Sequence, residues 1–140
     1  MKKLVIIYWS GTGNTEMMAE AIAEGASARG ADVEIKKVEH ATIDDVENAD
    51  VVALGCPSMG NEVLEESEME PFVEDIEVVS NGKNMVLFGS YGWGQGEWME
   101  DWKDRMESCG ANLVAECLII NETPDNDGLE KCRDLGAEIV

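Results

Sequence analysis

The sequence predicts a single α/β domain in three layers, a doubly wound parallel sheet of five strands with helices on both faces. Short apolar runs alternate with acidic amphipathic segments five times along 140 residues, which is the signature of repeated βα units joined by right-handed crossovers. Most of the runs are apolar throughout rather than alternating with polar residues, as strands covered on both faces require. No repeat, linker or low-complexity stretch interrupts the order. One domain over residues 1–140 is therefore expected, and a chain of this length buries a sizeable core.

The elements follow in order. The first strand is Leu4 to Trp9. A helix over 15–28 places Met18, Ala19, Ile22, Ala23 and Ala26 on one stripe. The second strand is Val33 to Val38, followed by a short helix around 43–48, and the third is Asp50 to Gly55. A helix over 65–77 contains Pro71, which predicts an irregular start or a kink. The fourth strand is Asn84 to Gly89, and the helix over 98–109 carries Met99, Trp102, Met106 and Cys109 inward. The fifth strand is Leu113 to Ile120, and the last helix, over 128–139, uses Leu129, Cys132, Gly136 and Ile139.

Thirty Asp and Glu against ten Lys and Arg give a net charge of −20. That balance disfavours nucleic acid and anionic membranes, whose recognition needs clustered positive charge. It favours partners with basic surfaces, while solubility or a salty habitat is the alternative source of the acidity. The apolar runs are far shorter than a membrane span, and the segment after Lys2-Lys3 is too short for a signal peptide, so a cytoplasmic protein is expected. Cysteines 56, 109, 117 and 132 lack CxxC spacing and have one histidine, His40, for company. Free structural thiols are expected rather than a metal site.

In such a sheet, ligands sit beyond the carboxyl ends of the strands. Three loops there are unusual. Ser10-Gly11-Thr12-Gly13-Asn14-Thr15 joins the first strand to its helix; its glycines, hydroxyls and helix-start N–H groups suit a terminal phosphate monoester. It lacks both the GxxxxGK[ST] and the GxGxxG spacing, and it holds no Lys or Arg. After the third strand comes Cys56-Pro57-Ser58-Met59-Gly60-Asn61-Glu62. Gly60 and Asn61 can take positive φ, Met59 is a polarizable surface for a ring, and Glu62 is a carboxylate acceptor. After the fourth comes Gly89-Ser90-Tyr91-Gly92-Trp93-Gly94-Gln95-Gly96, where an indole among glycines is placed to cover a planar ligand.

These segments resemble the short-chain flavodoxins of the clostridial type, and the resemblance runs from end to end. It rests on IIYWSGTGNTE (6–16), LGCPSMGNEVLEES (54–67), EPF (70–72), LFGSYGWGQGEWM (87–99) and NETPD (121–125). It implies a flavodoxin-like fold with strand order 2-1-3-4-5 and FMN as cofactor. By the same resemblance Ser10, Thr12, Asn14 and Thr15, with the backbone of Gly11 and Gly13, hold the phosphate. Met59 and Trp93 stack on the two faces of the ring, and Glu62 accepts from its N3–H. Tyr91 and Gly92 line the pyrimidine side and Ser90 the ribityl-phosphate region; Pro57, Ser58, Asn61, Gly89 and Gly94 complete the cofactor-binding set. The Gly60 peptide turns so that its carbonyl accepts the N5–H of the semiquinone.

Pro57 stands where some relatives place a hydroxyl, so a phosphate contact from that side chain is lost, and Asn61 replaces an Asp found in others, which shifts the flipped peptide's stability. Eight acids between Glu62 and Glu77 oppose added negative charge on the ring; a single carboxylate about 12 Å away costs only about 0.3 kcal/mol in water-like dielectric. The implied function is a low-potential one-electron carrier that shuttles between redox proteins in place of a ferredoxin. Its partners are ferredoxin-type donors and acceptors with basic docking surfaces, and a monomer is expected. An FMN-dependent reductase would need an open cavity over the ring, which Trp93 should cover. A phosphoacceptor domain of the same topology would need paired acids at the strand ends, where this chain has Trp9-Ser10 and Gly55-Cys56. No catalytic pair is evident, and His40 lies away from the site edge.

Overall fold

The computed structural model describes residues 2–60 and 62–140. The strands are β1 (Lys3–Tyr8), β2 (Asp32–Lys37), β3 (Val51–Gly55), β4 (Asn84–Tyr91), β5 (Asn112–Leu113) and β6 (Leu118–Asn121). The helices are α1 (Asn14–Ala28), α2 (Ile43–Glu47), α3 (Met69–Ile76), α4 (Glu97–Ser108) and α5 (Asn126–Glu138). All strand pairs are parallel, in the order β2-β1-β3-β4-β5, with β6 also on β4.

Alternation along the strands divides the core in two. Val5, Ile7, Val52, Leu54, Met85 and Leu87 face Phe72, Val73, Trp98, Trp102 and Met106 from α3 and α4. Leu4, Ile6, Val51, Ala53, Val86 and Phe88 face Met18, Ile22, Cys132 and Leu135 from α1 and α5. The apolar runs are thus buried on both faces, as the unbroken hydrophobicity of β1, β3 and β4 requires.

Most element ends fall within one or two residues of the sequence expectation, and three differences change the sheet edge or a helix start. β4 runs on through Ser90 and Tyr91, because Ile120 and Asn121 of β6 pair with them. The fifth strand is not continuous from Leu113 to Ile120: Leu113 pairs with Met85 and Leu118 with Phe88, so five steps on the edge oppose three on β4. The two surplus residues bulge out and divide it into β5 and β6. α3 begins at Met69 rather than at 65, and Pro71 is its third residue. The first-turn N–H groups have no intrahelical acceptor, so proline is accommodated there without a kink.

Candidate functional site

The loops after β1, β3 and β4 meet at one edge of the sheet because parallel strands all end on the same side. Backbone bonds weld their bases together: Trp9 N–H donates to Gly55 O (3.0 Å), Cys56 N–H to Phe88 O (3.1 Å) and Ser58 N–H to Ser90 O (3.0 Å). The loops therefore rise from fixed positions.

At the start of α1, the Ser10 hydroxyl oxygen accepts from the N–H groups of Gly13 (3.1 Å) and Glu16 (3.3 Å). Among the described residues, the N–H groups of Gly11, Thr12, Asn14 and Thr15 donate to no protein acceptor. Four free donors converging at a helix start form an anion cradle made without a cationic side chain. Its sides are fixed from elsewhere in the chain. The Thr15 hydroxyl bonds the Ser90 hydroxyl at 3.0 Å, and the Trp9 indole N–H donates to Glu68 Oε1 at 3.3 Å.

Beside this cradle lies a cavity of about 570 Å³, walled by Trp9, Gly11, Thr12, Asn14, Pro57, Ser58, Met59, Ser90, Tyr91, Gly92, Glu122 and Thr123. The size suits a cofactor. The cradle, the apolar Met59 and the Tyr91–Gly92 backbone together fit a ligand that is anionic at one end and planar at the other. Ser10, Gly13, Thr15, Gly60, Glu62, Gly89, Trp93 and Gly94 are not part of that wall, and Asn61 lies outside the described residues. Trp93 is 64% exposed at the rim. A second hollow, of about 420 Å³, shares Trp9, Gly11 and Thr12 with the first and is also lined by Ser10, Gly13 and Lys37, but Glu16, Glu39 and Glu68 make its wall negative on balance, which disfavours a phosphate there.

Glu122 and Thr123 were not among the expected site residues. They follow β6, whose carboxyl end shares the edge with the other three loops. Glu122 N–H donates to Tyr91 O at 2.7 Å, and Asn121 Nδ2 to the same oxygen at 3.2 Å. The signal in sequence was the Asn-Glu-Thr-Pro-Asp cluster after a strand, a turn composition at a ligand-facing end.

The loop after β3 is a tight hairpin, with Met59 and Val63 exchanging both backbone bonds (3.0 and 3.1 Å). Gly60 has φ +43° and Glu62 φ +55°. Glu62 is buried, and its Oε1 accepts from the N–H groups of Gly96 (3.2 Å) and Glu97 (3.1 Å) at the start of α4. Cys56, at the base, is buried in the core with its thiol pushed up to about 12 by burial, aided by the Glu65 carboxylate and opposed by the Glu65 N–H, so it is no nucleophile at neutral pH.

The eight acids from Glu62 to Glu77 do not form one solvated face. Glu62 and Glu65 are buried acceptors of backbone N–H groups. Glu70 and Glu77 grip Arg105 from α4 at 2.7 and 3.1 Å. Glu66, Glu74 and Asp75 remain exposed. All four cysteines are free, and among the described residues no group of His, Cys, Asp and Glu could hold a metal ion. No described helix is long and apolar enough to cross a membrane.

Residues 6–136 match the flavodoxin family model. The chain is 52% identical over 131 residues to the flavodoxin of Megasphaera elsdenii, covering 94% of this chain and 93% of that one. It is 49% identical over 135 residues to that of Clostridium beijerinckii, covering 96% and 97%. Its structure superposes on the solution structure of two-electron reduced Megasphaera elsdenii flavodoxin with a TM-score of 0.89 over 97% of each chain. An archaeal flavodoxin of 29% identity gives the same score, covering 98% of this chain and 95% of that one. Strand order, edge loops and sequence agree, and the chain belongs to the flavodoxin family of FMN-dependent electron carriers.

Proposed function

We propose that the cavity beyond β1, β3 and β4 holds FMN, and that the chain carries single electrons between redox proteins in place of a ferredoxin rather than transforming a substrate of its own. The observation that carries this reading is the set of unpaired N–H groups at Gly11, Thr12, Asn14 and Thr15, opening beside a cofactor-sized cavity. When bound, FMN supplies the electron transfer itself.

The chain's own residues bind and orient. Ser10 to Thr15 receive the phosphate dianion on neutral donors and the α1 terminus. Met59 and Trp93 supply the two faces of a ring slot, with Pro57, Ser58, Asn61, Gly89, Tyr91, Gly92 and Gly94 shaping its borders. Gly60, in the left-handed region at a hairpin tip, has the freedom to turn its peptide and hold its carbonyl toward a proton at the ring's N5. Glu62 offers its second carboxylate oxygen to N3–H, since Oε1 is already engaged. The exposure of Trp93 leaves the ring edge close to solvent, where a partner can approach within electron-transfer distance. The net charge of −20 selects partners with basic surfaces and gives fast, salt-sensitive association. On this reading the chain works as a cytoplasmic monomer.

An anaerobic reductive titration of the FMN-loaded protein, followed by absorbance, tests it. Two separated one-electron steps are expected. A single two-electron conversion would move the assignment to a reductase, and failure to take up FMN would overturn the reading of the loops.

A further inference from the structure

The hairpin after β3 and the glycine-rich loop after β4 are joined by one side chain. Glu62 belongs to the first and lies in the left-handed region at φ +55°, uncommon for a residue with a Cβ and retained only where the surroundings hold it. What holds it is in the second loop: the Gly96 and Glu97 N–H groups both donate to its Oε1, at 3.2 and 3.1 Å. The second loop is shaped to admit it. Gly94 has φ +86°, and a Cβ there would lie 2.5 Å from the Glu62 carboxyl carbon. Glu62 is 8% exposed, so these charge-assisted bonds are little screened by water.

We propose that Glu62 is a latch that sets the Trp93 loop against the Met59–Gly60 turn, so that the two loops hold or release their shape together. The proposal rests on the reading that these loops flank FMN, and it makes Glu62 a positioning residue before any ligand arrives. Two consequences follow from the geometry. The Met59–Val63 hairpin limits how far Glu62 can reach, so displacing its carboxylate also disturbs the turn at Gly60. The Gly96 and Glu97 donors stand at the first turn of α4, so their release frays the loop that carries Trp93.

The test uses apo-protein and E62A, E62Q and G94A variants, with amide hydrogen exchange and indole resonances read by NMR and FMN uptake read by fluorescence. In E62A apo-protein, exchange at Gly96 and Glu97 is expected to accelerate about tenfold or more and the Met59, Gly60 and Trp93 signals to shift with it; FMN affinity falls about tenfold, which the loss of a direct contact would also give, so the latch is read from the apo signals and from G94A. E62Q keeps an oxygen acceptor and restores most of each effect. G94A retains the carboxylate but pushes it from its seat, and reproduces the E62A pattern in apo-protein. Unchanged exchange at Gly96 and Glu97 in both E62A and G94A overturns the latch. So does a response confined to those two amides while Met59, Gly60 and Trp93 stay put, which describes a helix cap alone. If the unsubstituted chain takes up no FMN, the functional reading falls and the latch's link to the cofactor with it, an outcome visible before any variant is made.

Discussion

The hydroxyls of Thr15 and Ser90 meet at 3.0 Å in the buried interior although 75 residues separate them. One opens α1 and the other stands near the end of β4, so a single bond fixes the distance between the phosphate cradle and the strand that carries the ring-side loop. Removing one partner leaves the other buried and unpaired, at a cost of about 1–3 kcal/mol. S90A is expected to lower the urea-unfolding free energy of the apo-protein by that amount and to weaken FMN binding about tenfold. Equal affinity for S90A and the unsubstituted chain would show that the cradle is set by the loop backbone alone.

Helices α1 and α5 approach so closely that a side chain has no room between them. A Cβ on Gly136 would overlap the Ile22 carbonyl oxygen, and one on Gly25 would overlap that of Arg133. Both contacts are to backbone, which cannot swing away. G136A is expected to destabilise the fold by about 1–3 kcal/mol by overpacking while leaving FMN affinity within a factor of two, because this face lies across the sheet from α3 and α4 and behind the site edge. Denaturation curves and a fluorescence titration on the same sample separate the two effects.

The features readable from sequence were those written in local pattern. β1, β3 and β4 are continuous apolar runs, and the stripes of α1, α4 and α5 repeat at helical spacing, so burial on both faces dictated them. The break in the fifth strand was hidden because Val114 to Cys117 continue a largely apolar run while the register slips by two; register is set by the partner strand, not by the run itself. The late start of α3 was hidden because Glu65, an unremarkable acid in the run, folds back to accept from Glu68 and Met69 N–H. At the site, three loops announced themselves by glycine, hydroxyl and aromatic content. The Glu122–Thr123 wall did not, because its place depends on β6 pairing with the extension of β4. The direction taken by Glu62 was likewise set by a contact 34 residues on.

Glu65 also gives the fold a pH dependence of known sign. Burial works against its ionisation, but the Ser67 hydroxyl and the N–H groups of Met69, Ser67 and Glu68 outweigh it and hold the carboxyl below its ordinary value of 4.5. A depressed folded-state value means that the stabilisation is fully present above the unfolded value and fades as pH falls through the folded one. Unfolding free energies of the unsubstituted chain and E65Q are therefore expected to differ by a constant amount above about pH 5.5 and to converge in more acid solution. The difference is the useful quantity, since neutralising the other carboxylates relieves repulsion equally in both proteins. A gap that stays constant down to pH 3 would show that the carboxylate's charge contributes nothing to capping α3.

Trp93 and Trp98, five positions apart, are expected to respond in opposite ways to truncation. Trp98 is 1% exposed, packs in the core beside Trp102 and donates its indole N–H to Cys56 O at 3.2 Å. Trp98→Ala removes a large buried ring and its bond, and should cost about 3–5 kcal/mol of stability. Trp93 is 64% exposed and belongs to neither core, so W93A should leave apo-protein stability within about 0.5 kcal/mol. A ring that contributes nothing to the empty fold is accounted for by what it covers. Loss of a stacking partner of this size is worth about 1–3 kcal/mol, so W93A should weaken FMN binding about tenfold to a hundredfold. Unfolding curves on the apo-proteins together with FMN titrations decide it: W93A with full stability and undiminished affinity would remove Trp93 from the site.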